Sequence, residues 1–257
     1  MALNSMKMLD RLAQLRNTRK WARAAYQASE FDLEQLRQLR TQARGLRSHL
    51  DRLLFHADER LALPAEGSNR FKRPQGTEWA WRPDLWRGRL DKPGLSSVQS
   101  REKMGAGVTL FHDCRHSELT LRQLRNRREA DLAPYGLQMD VFRFDGSFLS
   151  LVVDLPRAAS DGLNKSHIIR MECIIEMEKP IEIFARLNVK HGPNTEQIVR
   201  ELPRDGAQVM VEFDLAYSNL NEKRVEKAWI DLIFEGPEMN QVTIRDLTFL
   251  RRPRANL

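Results

Sequence analysis

The feature that most limits the fold is a two-residue alternation of apolar and polar side chains, which runs from about residue 107 to residue 252. Successive side chains of a strand point to opposite faces, so each alternating run predicts a strand with one apolar face. Turn-forming pairs such as Asp145-Gly146 and Gly236-Pro237 separate the runs. The predicted strands are residues 108–112, 137–144, 147–155, 167–178, 181–190, 208–217, 228–234 and 242–251.

These eight short strands predict an all-β sandwich over residues 106–257, and their number suits a jelly roll. Between the first two strands, residues 117–136 are expected to hold a short helix. The order of elements resembles that of jelly-roll and galactose-binding-like sandwiches, which include many carbohydrate-binding modules.

Residues 1–62 have a helical period. From residue 6 onward they contain no proline, and Gly45 is their one glycine. Ser29 and Asp32 form a predicted capping pair ahead of the second helix. Spacings of three and four residues then define a heptad seam, sustained for about three repeats, which consists of Leu36, Leu39, Ala43, Leu46, Leu50 and Leu53.

The heptad seam leaves two geometries open. One is an antiparallel helical hairpin, with a first helix around Leu9, Leu12 and Leu15. The other is an intermolecular coiled coil, so the seam is a candidate oligomerisation surface that pairs with itself or with a partner helix through residues 30–60. The fold class is therefore predicted as α+β multidomain, with an N-terminal hairpin or coiled coil followed by the jelly-roll-like sandwich.

Residues 63–105 are predicted to be a linker, because proline and glycine recur and no period survives. Trp79, Trp81 and Trp86 lie close together in it, which is unusual for a disordered segment. We expect these rings to attach the linker to the sandwich. A ligand platform or a partner anchor is the alternative.

The positive charge is concentrated in the N-terminal half. Of the net charge of +7, residues 1–130 carry 26 Lys and Arg against 15 Asp and Glu, whereas residues 131–257 carry 16 against 20. One basic stripe flanks the heptad seam and is a candidate contact for an anionic membrane surface, namely Arg37, Arg40, Arg44 and Arg47. The alternative is a solvated helix flank, and no nucleic-acid-binding motif favours a nucleic acid partner.

A strip of polar side chains on the strand 181–190 is the candidate ligand-binding site. Phe184, Arg186, Asn188 and Lys190 alternate with apolar residues and so share one face. Sugar sites combine planar polar groups with an aromatic ring, which Phe184 or Trp229 would supply here. The alternative is an ordinary hydrated face of a scaffold strand.

Sequence motifs for catalysis and cofactors are missing. There is no phosphate-binding glycine loop and no nucleophile elbow. His112, Cys114 and His116 would share a strand face, yet no fourth zinc ligand follows at a matching spacing. We therefore predict no catalytic residue, no metal and no cofactor.

Two cysteines and the lack of a signal-peptide-like or membrane-spanning apolar run predict a cytoplasmic protein. Peripheral attachment at the inner face of the membrane is the variant that the basic stripe favours.

Three stretches resemble a bacterial family of unknown function associated with alphaproteobacteria, and they read WAWRPDLWRG, FHDCRHSELTLRQLRN and FRFDGSFLSLVVDLP. The resemblance spans most of the chain and implies no activity. From the residue patterns we predict a non-catalytic protein whose sandwich recognises a glycan or a partner protein and whose basic helices mediate assembly or attachment to an anionic surface. The alternatives are a structural subunit or assembly factor of a larger complex and, third, a carbohydrate-active enzyme.

Overall fold

The computed structural model describes residues 2–61, 71, 73–128, 131–203 and 206–254. The chain forms two compact units, Met1–Leu53 and Leu54–Leu257. The first contains most of the N-terminal helical region, and the second contains the end of the second helix and the sandwich.

Two long helices build the N-terminal region, α1 (Ala2–Tyr26) and α2 (Leu33–Leu61). Asp32 begins α2 as its N-cap, because its side-chain Oδ1 accepts the backbone N–H of Gln35 at 2.8 Å. The predicted pair of Ser29 and Asp32 is thus replaced by Asp32 alone. Among the described helices, none is long and apolar enough to span a membrane.

Thirteen strands, two short α-helices and two 3-10 helices, Leu215–Tyr217 and Glu222–Arg224, follow in the described residues. The α-helices are α3 (Asp84–Arg87) and α4 (Arg157–Ser160). The strands are β1 (Trp79–Trp81), β2 (Gly94–Ser96), β3 (Glu102–Met104), β4 (Val108–His112), β5 (Leu119–Arg125), β6 (Tyr135–Val141), β7 (Leu149–Asp154), β8 (His167–Met177), β9 (Ile183–His191), β10 (Asn194–Glu201), β11 (Gln208–Asp214), β12 (Val225–Phe234) and β13 (Asn240–Pro253).

The strands form two antiparallel sheets, which confirms the predicted β-sandwich. The seven-stranded sheet has the order β11-β8-β13-β6-β5-β2, with β1 also paired to β13. The six-stranded sheet has the order β10-β9-β12-β7-β4-β3. The chain crosses repeatedly from one sheet to the other, as in jelly-roll sandwiches.

One face of each sheet forms the shared core. Leu187 of β9, Ile230 of β12 and Leu151 of β7 are buried from one sheet, and Phe213 and Phe249 are buried from the other. Each of them alternates along its strand with a side chain on the outer face. The core therefore fixes which residues remain available on the outside.

The predicted linker differs from the structure, because most of its described part belongs to the sandwich. Trp86 is fully buried, and its indole N–H donates to the carbonyl of Ile244 at 2.9 Å. Trp81 stacks on Phe249 with ring centroids 5.9 Å apart. The tryptophans thus attach this segment to the sandwich, as expected. The sandwich itself begins at residue 79, within the predicted linker. Residues 62–70 and 72 lie outside the described residues.

Besides β1, β2 and β3, which lie in the predicted linker, two further strands of the sandwich were not predicted. Residues 119–125 form β5 and not the expected short helix. Its Gln123 points inward, where the amide donates to the carbonyls of Leu85 and Gly88 at 2.6 and 2.7 Å. The second, β10, is an edge strand that is mostly exposed on both faces, so its sequence shows no apolar alternation.

Candidate functional site

The outer face of the six-stranded sheet brings polar and aromatic side chains from four neighbouring strands together. Residues directly opposite each other on antiparallel strands have Cβ atoms about 4.5–5.5 Å apart. The register defines three rows across β9, β12, β7 and β4. The first holds Arg186, Asp231 and Val152, the second Asn188, Trp229 and Asp154, and the third Phe184, Ile233, Ser150 and Phe111.

These rows surround a groove of about 520 Å³. A volume of this order is typical of sites that hold small ligands. Its lining combines apolar, aromatic and charged side chains, namely Phe111, Phe148, Ser150, Val152, Asp154, Arg186, Lys227, Trp229, Asp231 and Ile233.

Asp231 is the polar centre of the groove. Its side chain is almost completely buried, and its Oδ2 accepts hydrogen bonds from Nε and Nη2 of Arg186 at 2.8 and 2.6 Å. The same oxygen accepts the amide of Asn188 at 3.0 Å, and Gln197 in turn donates to Asn188 Oδ1 at 3.0 Å. This charge-assisted network holds the carboxylate and the guanidinium in fixed orientations.

Aromatic rings line the apolar part of the groove. Trp229 is half-buried, and the ammonium of Lys227 lies 5.0 Å from its ring centroid. Phe148 is 44% exposed although it is a large apolar residue, and Phe111 is half-buried beside Ser150. Exposed rings clustered in a groove are a common feature of binding surfaces.

Ser150 is the unusual polar residue of the groove. Its side chain belongs to a residue that is 7% exposed, and its hydroxyl makes no hydrogen bond with any described residue. Leaving a buried hydroxyl without a partner costs about 1–3 kcal/mol. A group that accepts or donates a hydrogen bond here would recover that free energy.

The predicted strip is only partly assembled at the groove. Arg186 and Trp229 line it. Asn188 is 1% exposed and does not line it, but its amide donates a hydrogen bond to Asp231. Phe184 lies opposite Ile233 and outside the lining. Lys190 turns to Glu226, with Nζ and Oε2 2.7 Å apart, and the hydrogen bond from Lys190 lowers the pKa of Glu226.

Sequence reasoning missed Asp231, Ser150, Asp154 and Phe111. The alternation in β12 indicates that Trp229, Asp231 and Ile233 share one face, and this signal was available. Their position next to β7 and β9 depends on strand pairing, which the local sequence does not reveal.

The histidine and cysteine cluster near residue 112 has a structural role. The His112 ring is buried and lies 2.9 Å from the carbonyl of Val98. Asp113 accepts the Ser147 hydroxyl at 2.6 Å and its backbone N–H at 2.7 Å, which lowers the pKa of Asp113. Among the residues described, no group of three metal-ligating side chains is close enough to hold a metal ion.

The predicted contact residues of the helical unit are solvent-facing. Arg37, Arg40, Arg44 and Arg47 are all exposed, and Arg47 pairs with Asp51 at 3.2 Å. The heptad seam is half-buried at Leu36, Leu39 and Ala43, and exposed by 40% at Leu46, 47% at Leu50 and 63% at Leu53. The coiled coil and the self-association of this seam remain predictions.

Several solved structures are similar to part of this chain. A family 11 carbohydrate-binding module from Clostridium thermocellum, in complex with a β-1,3-1,4-mixed-linked tetrasaccharide, is 13% identical and matches with a TM-score of 0.39 over 64% of this chain and 100% of that one. The xylan-binding domain of Xyn10C from Paenibacillus barcinonensis is 10% identical, with a TM-score of 0.35 over 63% and 94%. The tailspike protein 4 of bacteriophage CBA120 is 9% identical, with a TM-score of 0.40 over 60% and 21%.

The sequence comparisons give a family but no activity. No curated protein matches the chain significantly. A family model matches residues 1–257, which is the full length of the sequence. The protein therefore belongs to the family of unknown function DUF6478.

Proposed function

We propose that the sandwich is a non-catalytic glycan-binding domain and that the groove around Asp231 is its binding site. The observation that carries this proposal is the Ser150 hydroxyl, which is buried in the groove without a hydrogen-bond partner among the described residues. A sugar hydroxyl donates and accepts hydrogen bonds, so it satisfies such a group in either orientation.

The remaining groups of the groove fit the two kinds of surface that a sugar presents. Trp229 and Phe148 offer apolar ring faces, against which the C–H face of a sugar ring packs. Arg186 and Asp231 offer planar polar groups that are already oriented by each other. The side-chain hydrogen bonds that described residues make to Asp231 end on Oδ2, and Oδ1 would accept a hydroxyl from the ligand. Preorganised groups of this kind lose little conformational entropy on binding.

The charges of the groove favour a neutral glycan. Asp154 and Asp231 are balanced by Arg186 and Lys227, so the formal charges of the lining sum to zero. The lining extends across four strands, which corresponds to about 14 Å at the usual strand spacing. This length suits a short oligosaccharide better than a single sugar ring.

Catalysis is not part of the proposal. A glycosidase needs two carboxyl groups in distinct roles, one of which carries a proton. Asp231 accepts hydrogen bonds from Arg186 and Asn188, and this fixed network suits the binding of a ligand.

The test is binding of the full chain to an array of neutral oligosaccharides, followed by calorimetry with the best ligand. Trp229→Ala should weaken binding about 30-fold, the loss typical of a central aromatic contact. Ser150→Ala should weaken it about 3- to 10-fold, because one hydrogen bond is lost. Met210→Ala is the matched control, because Met210 is 45% exposed on the other sheet.

Met210→Ala should leave the affinity unchanged. The proposal fails if no neutral glycan binds, or if the affinity survives Trp229→Ala in a folded protein.

A structural subunit is the second candidate function, and the exposed leucines of α2 favour it. Leu46, Leu50 and Leu53 lie along one side of a helix that needs a partner to bury them. This role does not exclude glycan binding, since it uses the other unit of the chain.

A further inference from the structure

The first helix, α1, carries a row of basic side chains. Arg16, Arg19, Lys20 and Arg23 follow spacings of three and four residues, so they lie on one face of α1. All four are exposed, and none forms an ion pair with a described residue. They therefore form an uncompensated cationic surface within the helical unit.

This basic row is one wall of a crevice of about 660 Å³ between α1 and α2. Gln35, Gln38 and Gln42 of α2 line it as well, and Phe31 and Leu39 supply its apolar part. An amphipathic helix that binds in a groove places its apolar side on an apolar floor and its polar flanks beside polar walls. The crevice offers both kinds of surface.

The heptad seam continues the apolar floor along α2. Leu39 lines the crevice, and Leu46 and Leu50 follow at heptad spacing but remain 40% and 47% exposed. A third helix lying along α2 would bury these leucines in the way that coiled coils bury their a and d positions. The seam and the basic row thus belong to one docking surface.

The charges beside the seam show which helix fits. With Leu36 and Leu39 at positions a and d, the flanking e positions hold Arg40 and Arg47, and the flanking g positions hold Gln35, Gln42 and His49. No carboxylate stands at either flank. A second copy of α2 therefore brings no complementary charge, and an antiparallel copy places arginine against arginine.

We infer that this surface binds an acidic amphipathic helix of a partner protein. The apolar side of that helix covers Leu39, Leu46 and Leu50. One acidic flank of that helix lies against Arg16, Arg19 and Arg23 of α1, which line the crevice. The inference is independent of the proposed glycan site, because all these residues belong to the unit Met1–Leu53.

The experiment uses the full chain and a synthetic four-heptad peptide with leucine at positions a and d and glutamate at e and g. A second peptide has the same composition in a scrambled order, so it keeps the charge and loses the apolar stripe. Calorimetry should show the patterned peptide binding at least about 10-fold tighter than the scrambled one. This binding should weaken as salt increases, because exposed charges are screened.

Variants then locate the site. Arg19→Glu with Arg23→Glu, and separately Leu46→Asp, should each weaken the patterned peptide at least about 10-fold. Lys103→Glu with Arg143→Glu makes the same change in net charge at exposed positions of the sandwich, and it should have little effect. A lysine-flanked peptide should bind the Arg19→Glu, Arg23→Glu variant better than it binds the unchanged chain. A gain in affinity cannot result from a loss of stability, so this result tests the site even if the variant is less stable.

Three results would overturn the inference. The first is equal binding of the patterned and scrambled peptides. The second is tighter, Arg23-dependent binding of phosphatidylglycerol–phosphatidylcholine vesicles or of an oligouridylate, which would assign the surface to a membrane or to nucleic acid. The third is a dimer of the chain alone that Leu46→Asp dissociates, which would assign the surface to a second copy.

Discussion

The two outer faces of the sandwich contain similar residue types but differ in how their polar groups are satisfied. On the seven-stranded sheet, Glu212 accepts Nε of Arg170 at 2.8 Å and Nη2 of Arg252 at 3.1 Å. On the six-stranded sheet, the network around Asp231 lies beside exposed rings and the unpartnered Ser150 hydroxyl.

The pKa shifts of the seven-stranded sheet agree with a closed polar face. Burial opposes the ionisation of Glu212, but the hydrogen bonds and charges of Arg170 and Arg252 lower its pKa overall. The pKa of Glu176 is lowered in the same way, against the effect of burial, by Arg128 and Arg245. A face whose charges satisfy each other offers few groups to a ligand, whereas the other face keeps several available. The comparison shows that charge content alone does not identify a site.

The largest loss of stability is expected at the seven-stranded sheet, where the segment after β1 pairs with β13 through Arg82 and Asp246. Arg82 donates from Nε and Nη2 to the two carboxylate oxygens of Asp246, each at 2.8 Å, and both side chains are buried. Asp246→Ala leaves the guanidinium buried without this partner and should lower the free energy of unfolding by about 3–5 kcal/mol. Urea denaturation measures this. The double variant Arg82→Met with Asp246→Leu should regain most of the loss, and a single variant as stable as the parent would contradict the prediction.

A smaller loss of stability is expected at the groove. Asp231→Ala removes the acceptor of Arg186 and Asn188, but the Arg186 side chain is 35% exposed and can be hydrated instead. We expect a loss of about 1–3 kcal/mol in thermal unfolding, chiefly from the buried Asn188 amide. Asp154→Ala changes an exposed carboxylate in the same groove and should cost less than about 0.5 kcal/mol. Equal losses from the two variants would show that the Asp231 network is not a structural centre.

The third prediction concerns pH and His167, which anchors the segment before β1. Burial lowers the pKa of His167, although Glu78, at 3.1 Å from its Nε2, opposes the shift. Its Nδ1 accepts the backbone N–H of Asn164, which requires the ring to be unprotonated at that atom. A lowered pKa means that the unfolded state binds the proton first. Stability is therefore complete above pH 6.5, the ordinary value, and falls as the pH decreases towards the lowered value.

One such group changes the free energy of unfolding by at most about 1.4 kcal/mol per pH unit. Urea denaturation between pH 5 and pH 8 measures it, since the carboxylates with lowered pKa values lose their contribution only below about pH 4.5. His167→Gln should flatten the profile in this range. An unchanged profile in that variant would assign the pH dependence to another group.

The smallest effect is expected on the closed face itself. Glu212→Gln weakens ion pairs that are partly exposed, so it should cost less than about 1 kcal/mol in thermal unfolding. It should also leave the affinity for a glycan unchanged. A change in affinity comparable to that of Trp229→Ala would mean that the seven-stranded sheet, and not the groove, holds the ligand.

The strands that the sequence predicted have a mainly apolar inner face. Residues 108–112 were predicted with the bounds that β4 has, because Val108 and Leu110 alternate with Thr109. The alternation in β5 is broken by Gln123, whose inward amide is satisfied by the carbonyls of Leu85 and Gly88. These carbonyls are more than 30 residues away in the sequence. A polar residue of this kind looks exposed until its distant partners are known.

By itself, the sequence determined the helical and the strand-rich regions, the sandwich class and the outward direction of Arg186 and Trp229. These properties depend on local periodicity, because the backbone sets the side-chain direction within a few residues. Tertiary structure alone decided that Arg186 meets Asp231, 45 residues further along the chain, and that residues 79–104 complete the sheets. Strand partners are selected by the packing of the whole core, so no local pattern contains them.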